Sequence, residues 1–311
     1  MSEVSWQGVF AVLVTPFDDG LALDEAALRA EVDFCLACGV QGLVAPVVAS
    51  EFYTLSDGER VRVMEVVASQ AAGKVPFVAG VAGTSAAHAA ELTHAAAAAG
   101  ADAVIAMPPY TARLPRAGVI DYYTRIAAAS ELPVMIQNAD APIGSPLASQ
   151  DLAALARQLP AIEAIKEETG PNPQRVGALA STLGPGGPAV FGGLGGIYLF
   201  NELRRGARGS MPACQFADVA VDIFRLAASG DEGEARRRFA LLQPALVMER
   251  LYGMTFMKEC LVRRGVLTNS LTRVPEPPLD DDDRRELDIV WEGIEPLFRV
   301  AAARPTAPAG G

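Results

Sequence analysis

Lys166 is the residue of this sequence whose surroundings are best suited to chemistry. It follows a short apolar run, Ala161–Ile165, and precedes Glu167, Glu168 and a glycine turn. This pattern is typical of a buried parallel strand that presents its last side chains at its carboxyl end, where α/β folds place their active sites. A lysine buried there can lose its proton and attack a ketone as a free amine. A solvated lysine–glutamate pair is the commoner meaning of such a pattern, so the rest of the chain has to decide between the two.

Short apolar runs alternate with helical patterns over most of the chain. The predicted strands are the run that contains Lys166 and seven others: Gly8–Thr15, Gln41–Pro46, Val75–Ala79, Ala103–Met107, Pro133–Gln137, Ala189–Gly192 and Ala207–Met211. Helix-start signals lie between them, such as Asp24, and Ser56 with Glu59 three residues later. Eight strands that alternate with helices predict an α/β fold of the closed (β/α)8 barrel type. A doubly wound open sheet is the alternative, but no GxGxxG turn follows the first strand.

The last third of the chain contains helical patterns without strands. The predicted helices there are Gln215–Ala228, Glu232–Leu251, Thr255–Arg264 and Asp281–Val300. We therefore predict a barrel over residues 1–212 and a helical extension, packed on the barrel, over residues 213–302. Residues 303–311 are small residues and proline, which predicts a flexible tail.

Composition excludes several classes of function. The 311 residues have a net charge of −11 and no basic run, which argues against a nucleic-acid or anionic-membrane partner. No apolar stretch has membrane-spanning length and the N-terminus lacks a signal-peptide pattern, so we expect a cytoplasmic protein. Cys35 and Cys38 lie within a helical pattern and are expected to be reduced thiols. His88 and His94 share one helix, so a histidine metal site or a catalytic triad is not expected, and no cofactor motif is present.

In a barrel, the catalytic groups come from the loops that follow the strands. Lys166 is the only lysine in these predicted loops, which contain no histidine and no cysteine. The glycine-rich segment Gly192–Gly196 could bind an anion through its backbone N–H groups, or it could be a tight turn. A nucleophilic lysine without a cofactor indicates Schiff-base chemistry on a 2-oxo acid. The protonated imine permits proton loss at the neighbouring carbon, followed either by carbon–carbon cleavage or by loss of a β-hydroxyl as water.

Several motifs together resemble a known family. They are VTPF at Val14–Phe17, Glu51 with Leu55-Ser56, GADAVIAMPPY at Gly100–Tyr110, PVMIQNADAPIG at Pro133–Gly144, AIKEETG at Ala164–Gly170 and GARGSMPA at Gly206–Ala213. From about Gly8 to Leu297 the chain is similar to the dihydrodipicolinate synthase and N-acetylneuraminate lyase family of class I aldolases, lyases and dehydratases. The resemblance implies that Lys166 is the Schiff-base lysine. It also implies a barrel with a C-terminal helical extension and a homo-oligomer, either a dimer or a tetramer.

The chain departs from that family at the positions that move protons. Gln137 stands where the synthases and sialic-acid lyases have their proton-shuttling tyrosine, and an amide cannot act as an acid or base at neutral pH. Val48 replaces the relay threonine, Thr111 replaces the second tyrosine, and Pro142 replaces an arginine of the synthases. Dihydrodipicolinate synthase activity itself is therefore not expected. The segments MPPY, PVMIQNA and KEET resemble the family's 2-keto-3-deoxy sugar acid dehydratases, such as 2-keto-3-deoxy-L-arabonate dehydratase, which carry glutamine at that position.

These residues predict a Schiff-base lyase that dehydrates a 2-keto-3-deoxy sugar acid. A pyruvate-forming retro-aldolase and a non-catalytic ligand-binding homologue are the alternatives. Lys166 is the predicted nucleophile. Glu168, on the same strand face as the lysine, and Glu51, which matches a residue that is usually structural in the family, are the candidates for proton transfer. The predicted substrate-binding residues are Val48, Ala49, Ser50, Tyr110, Gln137, Asn138, Thr169, Gly192, Gly193 and Met211.

Overall fold

The protein is described by a computed structural model that covers residues 4–140, 144–274, 276 and 278–300. Eight parallel strands pair in chain order, and the eighth pairs with the first, so the sheet closes into a barrel. The strands are β1 (Gly8–Val12), β2 (Gly42–Ala45), β3 (Phe77–Gly80), β4 (Ala103–Ala106), β5 (Val134–Ala139), β6 (Ile162–Glu168), β7 (Ala189–Gly192) and β8 (Gly209–Ser210). The predicted (β/α)8 barrel is confirmed.

Helices follow the strands and surround the barrel. They are α1 (Glu25–Cys38), α2 (Asp57–Ala71), α3 (Ala86–Ala99), α4 (Arg116–Ala129), α5 (Ser149–Gln158), α6 (Asn172–Leu183), α7 (Leu199–Leu203), α8 (Ala217–Ala228), α9 (Glu232–Arg263) and α10 (Asp281–Ile294). Short 3-10 turns lie at Val48–Ser50, Phe52–Thr54, Leu194–Gly196, Cys214–Phe216 and Glu295–Leu297. No helix in the described part of the chain combines the length and the apolar character needed to cross a membrane.

The core has an inner and an outer layer, because strand side chains alternate between the two faces of the barrel. The inner layer includes Phe10, Val44, Ile105 and Phe191, and the Phe10 and Phe191 rings stack at 5.1 Å between their centroids. The larger outer layer packs the other strand faces against the helices. Filling both layers with branched and aromatic side chains closes the barrel interior, so a ligand can enter only at one of its ends.

The helix starts agree with the capping signals of the sequence. The Asp24 side chain accepts a hydrogen bond from the backbone N–H of Ala27 at 2.9 Å. Ser56 and Glu59 exchange hydrogen bonds as a capping box at the start of α2. Such caps satisfy backbone donors that a helix leaves unpaired, which fixes where each helix begins relative to the loop before it.

Some element boundaries differ from those predicted. β1 ends at Val12, three residues before the predicted Thr15, whereas β6 continues to Glu168 and so carries the predicted site residues within the strand. The two helices predicted on either side of Gly253 form one element, α9, with a non-helical backbone only at Gly253. The last helix ends at Ile294 rather than at Val300.

The change from barrel to helical extension falls between Ser210 at the end of β8 and the 3-10 turn that begins at Cys214. We propose residue 212 as the boundary between the two. The extension packs on the barrel through the contacts of α8 with β1 and of α9 with the turn after β2. The predicted tail, residues 303–311, lies outside the described residues.

Candidate active site

A cavity of about 540 Å³ lies at the carboxyl ends of the strands. Its wall combines strand ends and loops of the barrel with one face of α9. The lining residues are Val12, Val47, Val48, Ala49, Gln137, Ala139, Asp140, Lys166, Glu168, Gly170, Pro171, Asn172, Leu194, Gly195, Tyr198, Met211, Ala213, Glu249, Arg250, Gly253, Met254 and Met257. Concave sites of this size, mostly apolar with a few polar groups, suit a small-molecule ligand.

Lys166 and Glu168 form the centre of this cavity. Because strand side chains alternate, the two residues project from the same face of β6, and Lys166 Nζ lies 3.1 Å from Glu168 Oε1. The neighbouring strand β5 places Gln137 beside Lys166 in register. Its amide Nε2 donates a hydrogen bond of 2.7 Å to Glu168 Oε2, and the backbone N–H of Leu194 donates one of 2.7 Å to Glu168 Oε1.

The surroundings of Glu168 favour its ionised form. Burial alone would raise the pKa of this carboxyl, but the charge of Lys166 and the hydrogen bonds from Leu194 and Gln137 outweigh it. The pKa therefore lies below its ordinary value. Glu168 is a carboxylate at neutral pH, so it can accept a proton from a group bound in the cavity.

Glu167 projects from the opposite face of β6 and has a different environment. Its carboxylate accepts hydrogen bonds from Asn138 Nδ2 at 2.9 Å and from the backbone N–H and the hydroxyl of Thr169 at 2.8 and 2.5 Å. Burial raises its pKa. Asn138 and Thr169, which were predicted to contact substrate, are thus engaged with Glu167 and do not line the cavity.

The structure brings only part of the predicted site together. Six of the predicted residues line the cavity: Val48, Ala49, Gln137, Lys166, Glu168 and Met211. Ser50 instead hydrogen-bonds the carbonyl of Leu13 through its hydroxyl, at 2.5 Å. The Tyr110 ring packs edge-on against Phe52, with 5.0 Å between their centroids.

Glu51, a predicted candidate for proton transfer, is not among the residues that line the cavity. It is fully buried, and its Oε1 accepts a hydrogen bond from Lys258 Nζ at 2.6 Å. Its Oε2 accepts backbone hydrogen bonds from Arg273 at 2.8 Å and Val274 at 3.1 Å. With both oxygens occupied, Glu51 joins the loop after β2 to the helical extension and does not meet Lys166.

Gly192 and Gly193 are required for close approach of side chains rather than for backbone conformation. A Cβ on Gly193 would lie 2.2 Å from Glu168 Oε1 and 2.5 Å from Lys166 Cε, and one on Gly192 would lie 1.7 Å from Glu202 Oε2. Glu202 is buried behind this loop. Burial raises its pKa to about 8, against the lowering effect of the Gly193 backbone N–H. The N–H of Gly193 therefore faces Glu202, and the glycine pair fits the close-approach interpretation of its sequence.

Several polar residues of the cavity were not predicted from the sequence. They are Asp140, Asn172, Tyr198, Glu249 and Arg250, and Glu202 lies just behind the wall. Glu249 had a detectable signal, because it occupies an apolar-face position of α9 at helical spacing from Leu242 and Leu246. No local pattern indicates that this face of α9 reaches the barrel opening. In the described part of the chain, no three His, Cys, Asp or Glu side chains are grouped so as to bind a metal ion.

A closed parallel barrel with a buried lysine–carboxylate pair at the carboxyl ends of its strands has the layout of a TIM-barrel enzyme. Residues 5–292 match the model of the Dihydrodipicolinate synthetase family. The chain belongs to that family, whose members are lyases.

Individual relatives match along nearly the whole chain. L-2-keto-3-deoxyarabonate dehydratase of Azospirillum brasilense is 31% identical over 298 residues, which are 94% of this chain and 95% of that protein. A 4-hydroxy-tetrahydrodipicolinate synthase of Pelobacter propionicus is 32% identical over 293 residues, 92% of this chain and 98% of that one. The crystal structure of a dihydrodipicolinate synthase from Acinetobacter baumannii, complexed with pyruvate, superposes with a TM-score of 0.87 at 26% identity and covers 94% of this chain and 99% of that one.

Proposed function

We propose that this protein is a Schiff-base lyase that removes water from a 2-keto-3-deoxy sugar acid. The observation that carries the proposal is the buried Lys166–Glu168 pair, held by Gln137 in a cavity of small-molecule size. The similarity to a 2-keto-3-deoxyarabonate dehydratase over nearly the whole chain supports the choice of substrate class.

The first step forms the imine. Proton transfer from Lys166 to Glu168, across 3.1 Å, frees the amine, which attacks the C2 ketone. Glu168 returns this proton to the C2 oxygen, which leaves as water, so the imine is protonated and Glu168 is again a carboxylate. The protonated imine then acidifies C3. The Glu168 carboxylate takes the C3 proton, and the C4–O bond breaks as the electron pair moves to form the C3–C4 double bond. Hydrolysis of the imine releases the product and returns Lys166.

Gln137 is a positioning residue in this scheme. A carboxamide neither gains nor loses a proton at neutral pH, so it cannot replace a proton-shuttling tyrosine. Its hydrogen bond to Glu168 Oε2 orients the carboxylate, while Leu194 and Lys166 engage Oε1. Proton transfer at C3 therefore falls to Glu168 itself.

The turn after β2 supplies candidate donors for the C1 carboxylate of the substrate. In the 3-10 turn Val48–Ser50, the backbone N–H groups of Ser50 and Glu51 donate to carbonyls of the same segment. The N–H groups of Val48 and Ala49 stand at the start of the turn, where no preceding turn provides an acceptor, and both residues line the cavity.

Borohydride reduction with pyruvate, followed by peptide mass mapping, tests the imine. We expect a reduced adduct on Lys166 and none in Lys166→Arg, which retains a positive charge beside Glu168 but has no amine nucleophile. The variant Lys74→Arg, at an exposed lysine far along the chain from the site, controls for unspecific trapping and should behave as the wild type. Absence of an adduct from the folded wild type would overturn the Schiff-base mechanism.

The products of 2-keto-3-deoxy-L-arabonate then decide between two lyase reactions. Loss of water without pyruvate supports the dehydratase. Release of pyruvate with an aldehyde would replace it by a retro-aldolase that uses the same imine.

A further inference from the structure

Glu249 is a buried carboxyl that opens into the active-site cavity from the helical extension. It lies on α9, is 4% exposed, and lines the same cavity as Lys166 and Glu168. Its Oε1 lies 1.9 Å from the point that a Cβ on Gly195 would occupy. Gly195 also has a φ of +69°, a backbone conformation that favours glycine. The loop after β7 therefore requires glycine at this position both for its backbone conformation and for the space that the Glu249 carboxyl occupies.

The hydrogen bonding of Glu249 distinguishes its two carboxyl oxygens. Gln215 Nε2 donates a hydrogen bond of 2.6 Å to Oε2, so that oxygen acts as an acceptor. The neutral acid can therefore carry its proton on Oε1, the oxygen beside Gly195, while Oε2 accepts from Gln215. Burial raises the pKa of Glu249 to about 8, against the lowering effects of the Gln215 hydrogen bond and the Arg250 charge, so the side chain is an acid at neutral pH. The Cys260 thiol is a titratable group whose pKa a charge on Glu249 would raise. Burial already keeps the pKa of this thiol well above its usual range.

The cavity thus contains two carboxyls in opposite protonation states. Glu168 is ionised because Lys166 and two hydrogen-bond donors stabilise its charge, whereas Glu249 is neutral because burial dominates. Pairs of carboxyls whose environments separate their pKa values in this way divide the roles of base and acid between them.

We propose that Glu249 is a second catalytic residue, the acid that protonates the departing β-hydroxyl. This inference rests on the proposed dehydration. Glu168 takes the C3 proton, the C4–O bond breaks, and the proton of Glu249 Oε1 joins the leaving oxygen to give water. Glu249 becomes a carboxylate and regains a proton from solvent, while Glu168 releases the C3 proton to solvent, so each turnover removes one molecule of water from the substrate and returns both carboxyls to their starting states.

Glu202 is the other buried carboxyl near the site, and it is less suited to this step. Burial also raises its pKa to about 8. However, it does not line the cavity, because Gly192 and Gly193 separate it from Lys166.

The test compares two partial reactions in Glu249→Gln. Exchange of the pyruvate methyl protons with D2O requires the imine and the base, but no acid, because no hydroxyl leaves. Dehydration of 2-keto-3-deoxy-L-arabonate requires the imine, the base and the acid. We expect the kcat of dehydration to fall by about 100-fold or more, within the range for loss of a general acid, and exchange to stay within about threefold. Glu249→Asp should recover part of the dehydration rate because it restores an acid.

Glu31→Gln is the matched control. Glu31 is fully buried, burial raises its pKa to about 7, and it does not line the cavity, so both reactions should match the wild type. If Glu249→Gln dehydrates within threefold of wild type, or loses exchange as fully as dehydration, Glu249 is not the acid. A wild type that forms no Lys166 adduct would instead overturn the proposed function and this inference together.

Discussion

At the scale of single residues, two adjacent glutamates show how environment separates chemistry from structure. Both are buried, yet the pKa of Glu168 lies below its ordinary value and that of Glu167 lies above it. The difference arises because Lys166 is 3.1 Å from Glu168, whereas Arg175, the cation that pairs with Glu167, is 3.7 Å away and its side chain is 26% exposed. Strand alternation alone assigns the two neighbours to opposite faces of β6.

Glu168→Gln should abolish proton transfer at C3 without unfolding the protein. The amide keeps the size of the side chain but cannot accept a proton, so exchange of the pyruvate methyl protons is expected to fall by about 100-fold or more. The exchange rate is measured by NMR from the loss of the pyruvate methyl signal in D2O. The final yield of the borohydride-reduced Lys166 adduct should be unchanged, because the variant still has the Lys166 amine.

Glu167→Gln provides the contrast on the other face of the strand. Its oxygens accept from Asn138 and from both donors of Thr169, and an amide nitrogen cannot replace an accepting oxygen. The expected loss is about 1–3 kcal/mol of unfolding free energy with exchange nearly unchanged. Undiminished exchange in Glu168→Gln, or loss of exchange only in Glu167→Gln, would show that the base has been assigned to the wrong glutamate.

At the scale of elements, the loop after β7 brings the catalytic strand and the helical extension close together. Its glycines contact three carboxyls: Gly192 faces Glu202, Gly193 faces Glu168 and Gly195 faces Glu249. Any side chain in these places would occupy space that the carboxyls fill. The glycine-rich sequence is therefore explained by the approach of the carboxyl groups on both sides of the loop.

Gly193→Ala should disable the site through steric displacement. Gly193 has a φ of −156°, which lies outside the left-handed region that favours glycine. The Cβ of the alanine would nevertheless lie 2.2 Å from Glu168 Oε1, and a shift of about 1 Å in a catalytic pair costs roughly 100-fold in rate. Borohydride reduction at successive times after mixing with pyruvate gives the rate of imine formation, which we expect to fall by more than tenfold. Gly186→Ala is the control, since nothing lies within 4 Å of its Cβ position, and equal rates in both variants would contradict the steric argument.

The same elements show how far the sequence could predict the structure. The barrel follows from eight apolar runs with helices between them, and the Lys166–Glu168 pair follows from alternation along one strand. These are local patterns. The place of Glu249 depends on how α9 crosses the barrel opening, and the place of Glu51 depends on Lys258, 207 residues further along the chain. The helical spacing of Glu249 places it on the apolar face of α9, but no local pattern shows which part of the barrel that face or Glu51 contacts.

At the scale of the whole molecule, the extension completes the cavity and is fastened to the barrel beside it. Lys258 of α9 is fully buried, pairs with Glu51 at 2.6 Å and lies 4.4 Å above the Phe17 ring. Phe17 and Glu51 both belong to loops that follow barrel strands. Loosening this contact would therefore affect the α9 face that carries Glu249.

Lys258→Met should weaken the attachment of the extension to the barrel. It leaves Glu51 buried with only its two backbone donors, and loss of one partner of a buried pair costs about 3–5 kcal/mol. The remaining donors place the expected loss at about 3 kcal/mol, measured by urea unfolding. Arg62→Met removes exposed ion pairs with Glu25 and Glu65 and should cost less than about 1 kcal/mol.

The double variant Glu51→Gln with Lys258→Met separates an unpaired charge from simple loss of packing. If the uncompensated Glu51 carboxylate causes the instability, replacing it by an amide should restore part of the lost free energy, because coupled residues are not additive. If packing is the cause, the double variant will be as unstable as the sum of the single ones. The rates at which these variants dehydrate 2-keto-3-deoxy-L-arabonate should rank in the same order as their unfolding free energies. The reason is that α9 presents Glu249 to the cavity only while the helix stays docked on the barrel.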